Sequence, residues 1–174
     1  NESVGGILME PVQSTNGDIY YDGEFFKGLR SIATEFDVPL IFDEIQTGFG
    51  TTGKTWYFEH TGIVPDIVVF GKKSQVCGLM TTEKHAQIFS SPSVMCITWD
   101  GDLVDMVRRT YVMKAIEQNK LMWNAHNIGE YILKELNAHG IEARGCGLLI
   151  AFDLKDRASR DKFFKMLRSN GVLC

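Results

Sequence analysis

Hydrophobic and polar positions follow a strand–helix–strand rhythm along the first half of this chain. Val4-Gly5-Gly6-Ile7-Leu8-Met9 is a short apolar run closed by Glu10-Pro11. It predicts a buried strand ending before a proline, where the backbone is biased to extended geometry. A polar, glycine-bearing loop follows from Gln13 to Gly23. From Glu24 to Phe36, Phe25, Phe26, Leu29, Ile32, Ala33 and Phe36 recur at helical spacing with charges between them. Val38-Pro39-Leu40-Ile41-Phe42 is continuously apolar, the mark of a strand buried on both faces, and it stops at Asp43 and Glu44. Glycines and threonines between Gln46 and Lys54 predict a loop. A short helix is expected over Lys54–His60, then a buried strand over Asp66–Phe70 that runs into Gly71-Lys72-Lys73.

After Trp99 the rhythm changes. Leu103–Gln118 reads as one helix, with Leu103, Met106, Val107, Thr110, Met113 and Ile116 on its inward face. Leu121–Ala138 reads as a second, ended by Gly140. Gly147–Phe152 is an expected strand, and Asp156 an expected cap for a helix reaching Asn170, with Gly171 beyond it. A domain boundary near residue 119 is expected, dividing the chain into 1–118 and 119–174.

The rhythm predicts an α/β fold with a parallel sheet and right-handed crossovers. In such sheets the ligand crevice lies at the carboxyl ends of the strands. Three predicted strands end there in polar groups: Glu10, then Asp43 with Glu44, then Lys72.

Composition narrows the partners. The 174 residues are 44% hydrophobic and 23% charged, an ordinary globular balance. Lys plus Arg number 18 against 22 Asp plus Glu, a net charge of −4, and no run of like charge stands out. A nucleic-acid or anionic-membrane partner is therefore not expected. No stretch approaches the ~20 apolar residues of a membrane helix. Cys77, Cys96, Cys146 and Cys174 have no CxxC spacing, and no histidine sits at a zinc-ligand interval. Free thiols, a cytoplasmic location and no metal site are the expectation. A first residue that is not Met and a last run, Gly171-Val172-Leu173-Cys174, that resembles an opening strand read as a piece of a longer chain.

A lysine at a strand mouth beside a neighbouring acid has two readings. One is a structural ion pair. The other is a Schiff-base lysine, nucleophilic when neutral. An acid that stays ionised beside a pyridine nitrogen keeps it protonated, an attraction of about 4 kcal/mol at ~4 Å with an effective dielectric of about 20. A protonated pyridine is what a pyridoxal cofactor uses to stabilise a carbanion.

Asp43-Glu44-Ile45-Gln46-Thr47-Gly48, Thr52-Gly53-Lys54, Pro65-Asp66-Ile67 and Gly71-Lys72 resemble, in order, the signature of class III pyridoxal-phosphate aminotransferases. Glu10-Pro11-Val12-Gln13 is similar to the family's preceding strand end, and the resemblance covers almost the whole chain. It implies a fold-type I architecture: a mostly parallel sheet with helices on both faces, as part of a large cofactor domain, plus part of a small α+β C-terminal domain. By position it implies that Asp43 pairs with the pyridine nitrogen and Gln46 lies near the phenolic oxygen. It implies that Ile45 packs on the ring, and that Lys72 forms the Schiff base with pyridoxal 5'-phosphate and shuttles the proton. Lys73 is then the bystander, although spacing alone does not separate the two lysines. Thr98 matches the threonine that reaches the cofactor phosphate of the partner subunit, which implies a homodimer.

Gly71-Lys72-Lys73-Ser74-Gln75-Val76-Cys77-Gly78, Thr98-Trp99 and Leu103–Arg108 are similar to the L-lysine 6-aminotransferase group. That group implies a lysine-like donor and 2-oxoglutarate as acceptor. The 4-aminobutyrate aminotransferases share Gln13-Ser14, Gly17-Asp18 and the double lysine, and form the alternative. The sequence departs from the pattern at three places. Thr15 stands where the family has a glutamate implied to mask the arginine for the second substrate's carboxylate. Asp100 and Asp102 replace Gly and Asn, with Asp102 an expected helix cap. Cys146 replaces a second arginine after Arg144. These departures also leave open a diverged, non-catalytic homologue. The phosphate-binding loop, the ring-stacking aromatic and the carboxylate-binding arginine are expected outside these residues.

Overall fold

The computed structural model describes residues 4–90, 98 and 101–173. Trp99, Asp100, Cys96 and Cys174 lie outside the described residues.

Three strands run parallel: β1 (Ile7–Met9), β4 (Leu40–Asp43) and β5 (Ile67–Phe70). β6 (Gly78–Thr81) adds antiparallel to β5, giving the order β1-β4-β5-β6. The mostly parallel sheet follows the expectation from the sequence; β6, which no apolar run predicts, starts at the last residue of the Gly71–Gly78 segment. Between β1 and β4 come a small antiparallel pair, β2 (Val12–Gln13) with β3 (Ile19–Tyr20), and α1 (Gly23–Glu35). Asp22 caps α1 by accepting from Phe25 N at 2.8 Å.

Alternation along the strands decides which side chains meet α1. Leu40, Phe42 and Val68 share one face, and Phe26 of α1 packs edge-on to Phe42 with ring centroids 5.7 Å apart. Val12, Phe26, Ala33, Leu40, Phe42 and Tyr57 form the buried core. Leu8, on the opposite face, is 66% exposed.

Asp66 ties α1 to the amino end of the sheet. Its Oδ2 accepts from Arg30 Nη1 at 2.6 Å and from Leu40 N at 2.8 Å. Burial works against its ionisation, but the Leu40 amide and the Arg30 guanidinium outweigh it and hold the carboxyl below the ordinary range. A carboxyl with a depressed folded pKa stabilises fully above its unfolded value of 3.8 and loses that stability as pH falls through the folded value. Asp66→Asn is expected to cost about 1–2 kcal/mol at neutral pH. Urea midpoints should converge on those of the parent as acid is added; a deficit that persists undiminished in acid would refute the assignment.

α2 (Phe58–Thr61) is shorter and later than the helix expected over Lys54–His60. The Glu44 carboxylate explains the difference, because it holds the amides of Tyr57 and Phe58 at the helix start and keeps the preceding residues in turns.

α3 (Leu103–Gln118) and α4 (Leu121–Ala138) have the expected limits, and Asp102 caps α3 through Val104 N at 2.8 Å and Asp105 N at 3.1 Å. The expected inward face of α3 is wrong. Leu103 is 77% exposed, and Met106, Val107 and Met113 are also exposed. Arg109 turns inward instead, its guanidinium 4.6 Å from the Phe70 ring centroid and 5.4 Å from that of Phe49. Stacking on Phe70 at the end of β5 and on Phe49 in the loop after β4 gives α3 a different inward face from the expected one.

The expected strand over Gly147–Phe152 is β8 (Leu149–Phe152), starting two residues later, and it pairs antiparallel with β7 (Ala143–Cys146) in a hairpin. Asp156 caps α5 (Arg157–Ser169), accepting from Ser159 N at 2.7 Å. The hairpin docks onto the loop after β4, where Leu148 N donates to Thr51 O at 2.9 Å, and onto β3, where Tyr20 Oη donates to Leu149 O at 2.7 Å. Gly129 of α4 meets this turn so closely that a Cβ would lie 2.0 Å from Gly147 O. Gly129→Ala is therefore expected to cost about 3 kcal/mol or more. A urea midpoint within error of the parent would contradict this packing.

Candidate active site

The carboxyl ends of β4 and β5 lie side by side, so the residues leaving them share one mouth. Asp43 closes β4 and is half-buried. Its Oδ1 accepts from Ile45 N at 3.0 Å, a local turn that aims the carboxylate and folds the chain back. Among the described residues no hydrogen bond reaches Oδ2.

Glu44, the next residue, points the other way and is 1% exposed. It accepts from Tyr57 N at 2.6 Å, Phe58 N at 2.8 Å and Thr47 Oγ1 at 2.8 Å. Burial pushes its carboxyl above the ordinary range, against the pull of those donors. Of the two acids at this strand end, Glu44 is buried and committed to three donors, and Asp43 is half-buried with one oxygen free of hydrogen bonds among the described residues. Glu10 is half-buried at the end of β1.

β5 ends in Gly71 and a single 3-10 turn, Lys72–Ser74. Lys72 adopts a left-handed backbone, φ 51°, which is uncommon for a residue with a Cβ. Held strain of this kind clusters at functional sites. The turn leaves Lys72 exposed, with its Nζ donating to Gln46 Oε1. Lys73 is half-buried, and its Nζ donates to the Gln46 backbone O at 2.5 Å. Burial first, and the Lys72 cation second, push the Lys73 ammonium below the usual lysine range, while Glu44 pulls it up.

The structure thus brings Asp43, Ile45, Gln46 and Lys72 to one mouth. Thr98 stands in an exposed turn, and no hydrogen bond among the described residues links it to this group. Thr15 is exposed in the 3-10 turn Ser14–Asn16. Cys146 Sγ contacts Thr52 O at 3.4 Å and His60 Nε2 at 3.6 Å. Burial raises the thiol and lowers the imidazole, which favours the neutral form of each. Arg144 binds Asp153 and the carbonyls of Gly17 and Asp18, an anchor between hairpin and loop. Sequence reasoning missed the contact of Lys73 with Gln46; the adjacent lysines were its only signal.

Comparison with known proteins gives a consistent result. The L-lysine-epsilon aminotransferase of Mycobacterium tuberculosis is 39% identical over 178 aligned positions, covering 96% of this chain and 40% of that protein. The 4-aminobutyrate aminotransferase of Schizosaccharomyces pombe is 34% identical, covering 97% of this chain and 38% of its own length. The solved structure of the lysine aminotransferase from M. tuberculosis superposes with a TM-score of 0.88 at 40% identity, over 95% of this chain and 41% of that one. The chain spans about two fifths of the length of these relatives. The family model "Aminotransferase class-III" matches residues 1–174, and with that match this chain belongs to the class-III aminotransferases.

Proposed function

We propose that the whole protein is a pyridoxal-phosphate-dependent ω-aminotransferase that moves the terminal amino group of a lysine-like donor to 2-oxoglutarate. The observation that carries this reading is the juxtaposition of Asp43, Gln46 and Lys72 at adjacent strand ends. The donor set fits the cofactor's ring side. A carboxyl group with one oxygen uncommitted among the described residues, a neutral amide and a primary amine match a pyridinium nitrogen, a phenolic oxygen and an aldehyde.

When bound, the cofactor supplies an electron sink for the carbanion at the donor carbon. This chain's residues do the rest. Asp43, pinned through Oδ1 by the Ile45 amide, would offer Oδ2 to the ring nitrogen. Ile45 would pack against the ring, and the Gln46 side-chain amide would donate to the phenolic oxygen. Lys72 Nζ would supply the nucleophile and carry the proton to and from the substrate carbon. Thr98 is proposed to serve the phosphate of a partner subunit's site, in a homodimer. The chain is read as the later part of a large domain, 1–118, and the opening of a small one, 119–174.

The 4-aminobutyrate reading is the second, supported by the relative from S. pombe. Thr15 bears on both, since it offers no carboxylate for masking a substrate-binding arginine. The test is kcat/KM of the full-length protein with L-lysine and with 4-aminobutyrate, each against 2-oxoglutarate. A preference for lysine of tenfold or more is expected to the order of magnitude, from differential binding of about 1.4 kcal/mol. Preference for 4-aminobutyrate favours the second reading, and turnover of neither ends both.

A further inference from the structure

Lys72 and Lys73 leave β5 together, yet they grip opposite ends of one residue. Lys72 Nζ holds the Gln46 side chain, and Lys73 Nζ holds the Gln46 backbone carbonyl at 2.5 Å. The second contact joins the turn after β4 to the turn after β5, the two segments that carry the candidate site.

The turn after β4 does not need Lys73 in order to fold. Gly48 N donates to Glu44 O at 2.8 Å, Ile45 N to Asp43 Oδ1 at 3.0 Å, and the Glu44 carboxylate anchors three further donors. A half-buried ammonium is costly to desolvate, and this one is spent on a carbonyl at the site rather than on a surface ion pair.

We propose that Lys73 is a positioning residue: its hydrogen bond to Gln46 O fixes the 43–47 turn against β5 and so sets where the Gln46 amide stands relative to Lys72. The role of that amide toward the cofactor rests on the reading proposed above; the placement of the turn does not. Lys73 acts through Gln46 and touches neither cofactor nor substrate.

The test uses the full-length protein and the variants Lys73→Met, Lys73→Arg, Gln46→Ala and Lys73→Met/Gln46→Ala. In the cofactor-free protein, amide hydrogen exchange of the 43–49 segment should quicken about tenfold in Lys73→Met, as expected for loss of one charge-assisted hydrogen bond. Lys73→Arg should restore protection, and the melting temperature should stay within about 3 °C of the parent. With pyridoxal phosphate added, the visible absorption maximum of Lys73→Met should move in the same direction as that of Gln46→Ala. The double variant should move no further than Gln46→Ala alone. Parental exchange in Lys73→Met, or additive spectral shifts in the double variant, would overturn the proposal. A parent that binds no pyridoxal phosphate would defeat the functional reading, while the exchange experiment would still decide the placement.

Discussion

Lys72→Ala in the full-length protein is expected to lower transamination by about 10³–10⁴-fold or more, because the variant loses a nucleophile and a general base at once. The structure gives reasons to choose Lys72 over its neighbour. Its left-handed backbone turns it out of the strand end, and among the described residues its amine is engaged only by a side-chain amide that can yield to a ligand. Lys73 is half-buried and committed to a backbone carbonyl. The variant should keep its fold, since Lys72 is exposed and lies outside the core. Steady-state kinetics with the parent's best donor, alongside a melting curve, check this. Activity within tenfold of the parent would remove Lys72 from the mechanism.

Glu44→Ala is expected to produce the largest loss of stability among the residues of this site. Its carboxylate accepts from two backbone amides and the Thr47 hydroxyl in a buried pocket. Removing it leaves buried donors without acceptors and opens a cavity. The net cost is about 3–4 kcal/mol after relief of the desolvation that the charge itself suffers. That magnitude is a large fraction of a typical domain's stability. The sign of the pH dependence is also fixed. Burial raises the folded-state pKa of Glu44, so the folded protein binds the proton more tightly than the unfolded one. Stability therefore falls as pH rises from the ordinary value of 4.5 through the folded value. Glu44→Ala should lose that slope along with its stability. Denaturant midpoints measured across this range would expose an error in either expectation.

Much of the site was legible because its parts are short and in strict order. Asp43 closes a run that only a buried strand explains, and Gly71-Lys72 closes the next; adjacent parallel strands then bring them together. What remained hidden depends on direction rather than spacing. Asp43 and Glu44 are consecutive, and in extended backbone consecutive side chains diverge; spacing alone does not say which of them is buried, and it is the family resemblance that singles out Asp43. The Lys73 contact depends on the curl of a 3-10 turn, which no periodicity records. α3 failed for a different reason. Its apolar residues are spread around the helix, so an arginine stacked on two aromatic rings could set the inward face. The exposed side with Leu103, Val107 and Tyr111 fits a surface that another part of the whole protein, or its proposed partner subunit, covers.

The most direct test of the central claim is chemical. Full-length protein loaded with pyridoxal phosphate is reduced with borohydride, digested, and mapped by mass spectrometry for the cofactor-labelled lysine. The account predicts a phosphopyridoxyl group on Lys72 and none on Lys73. A label on Lys73 or on any other lysine, or no label at all, would contradict it.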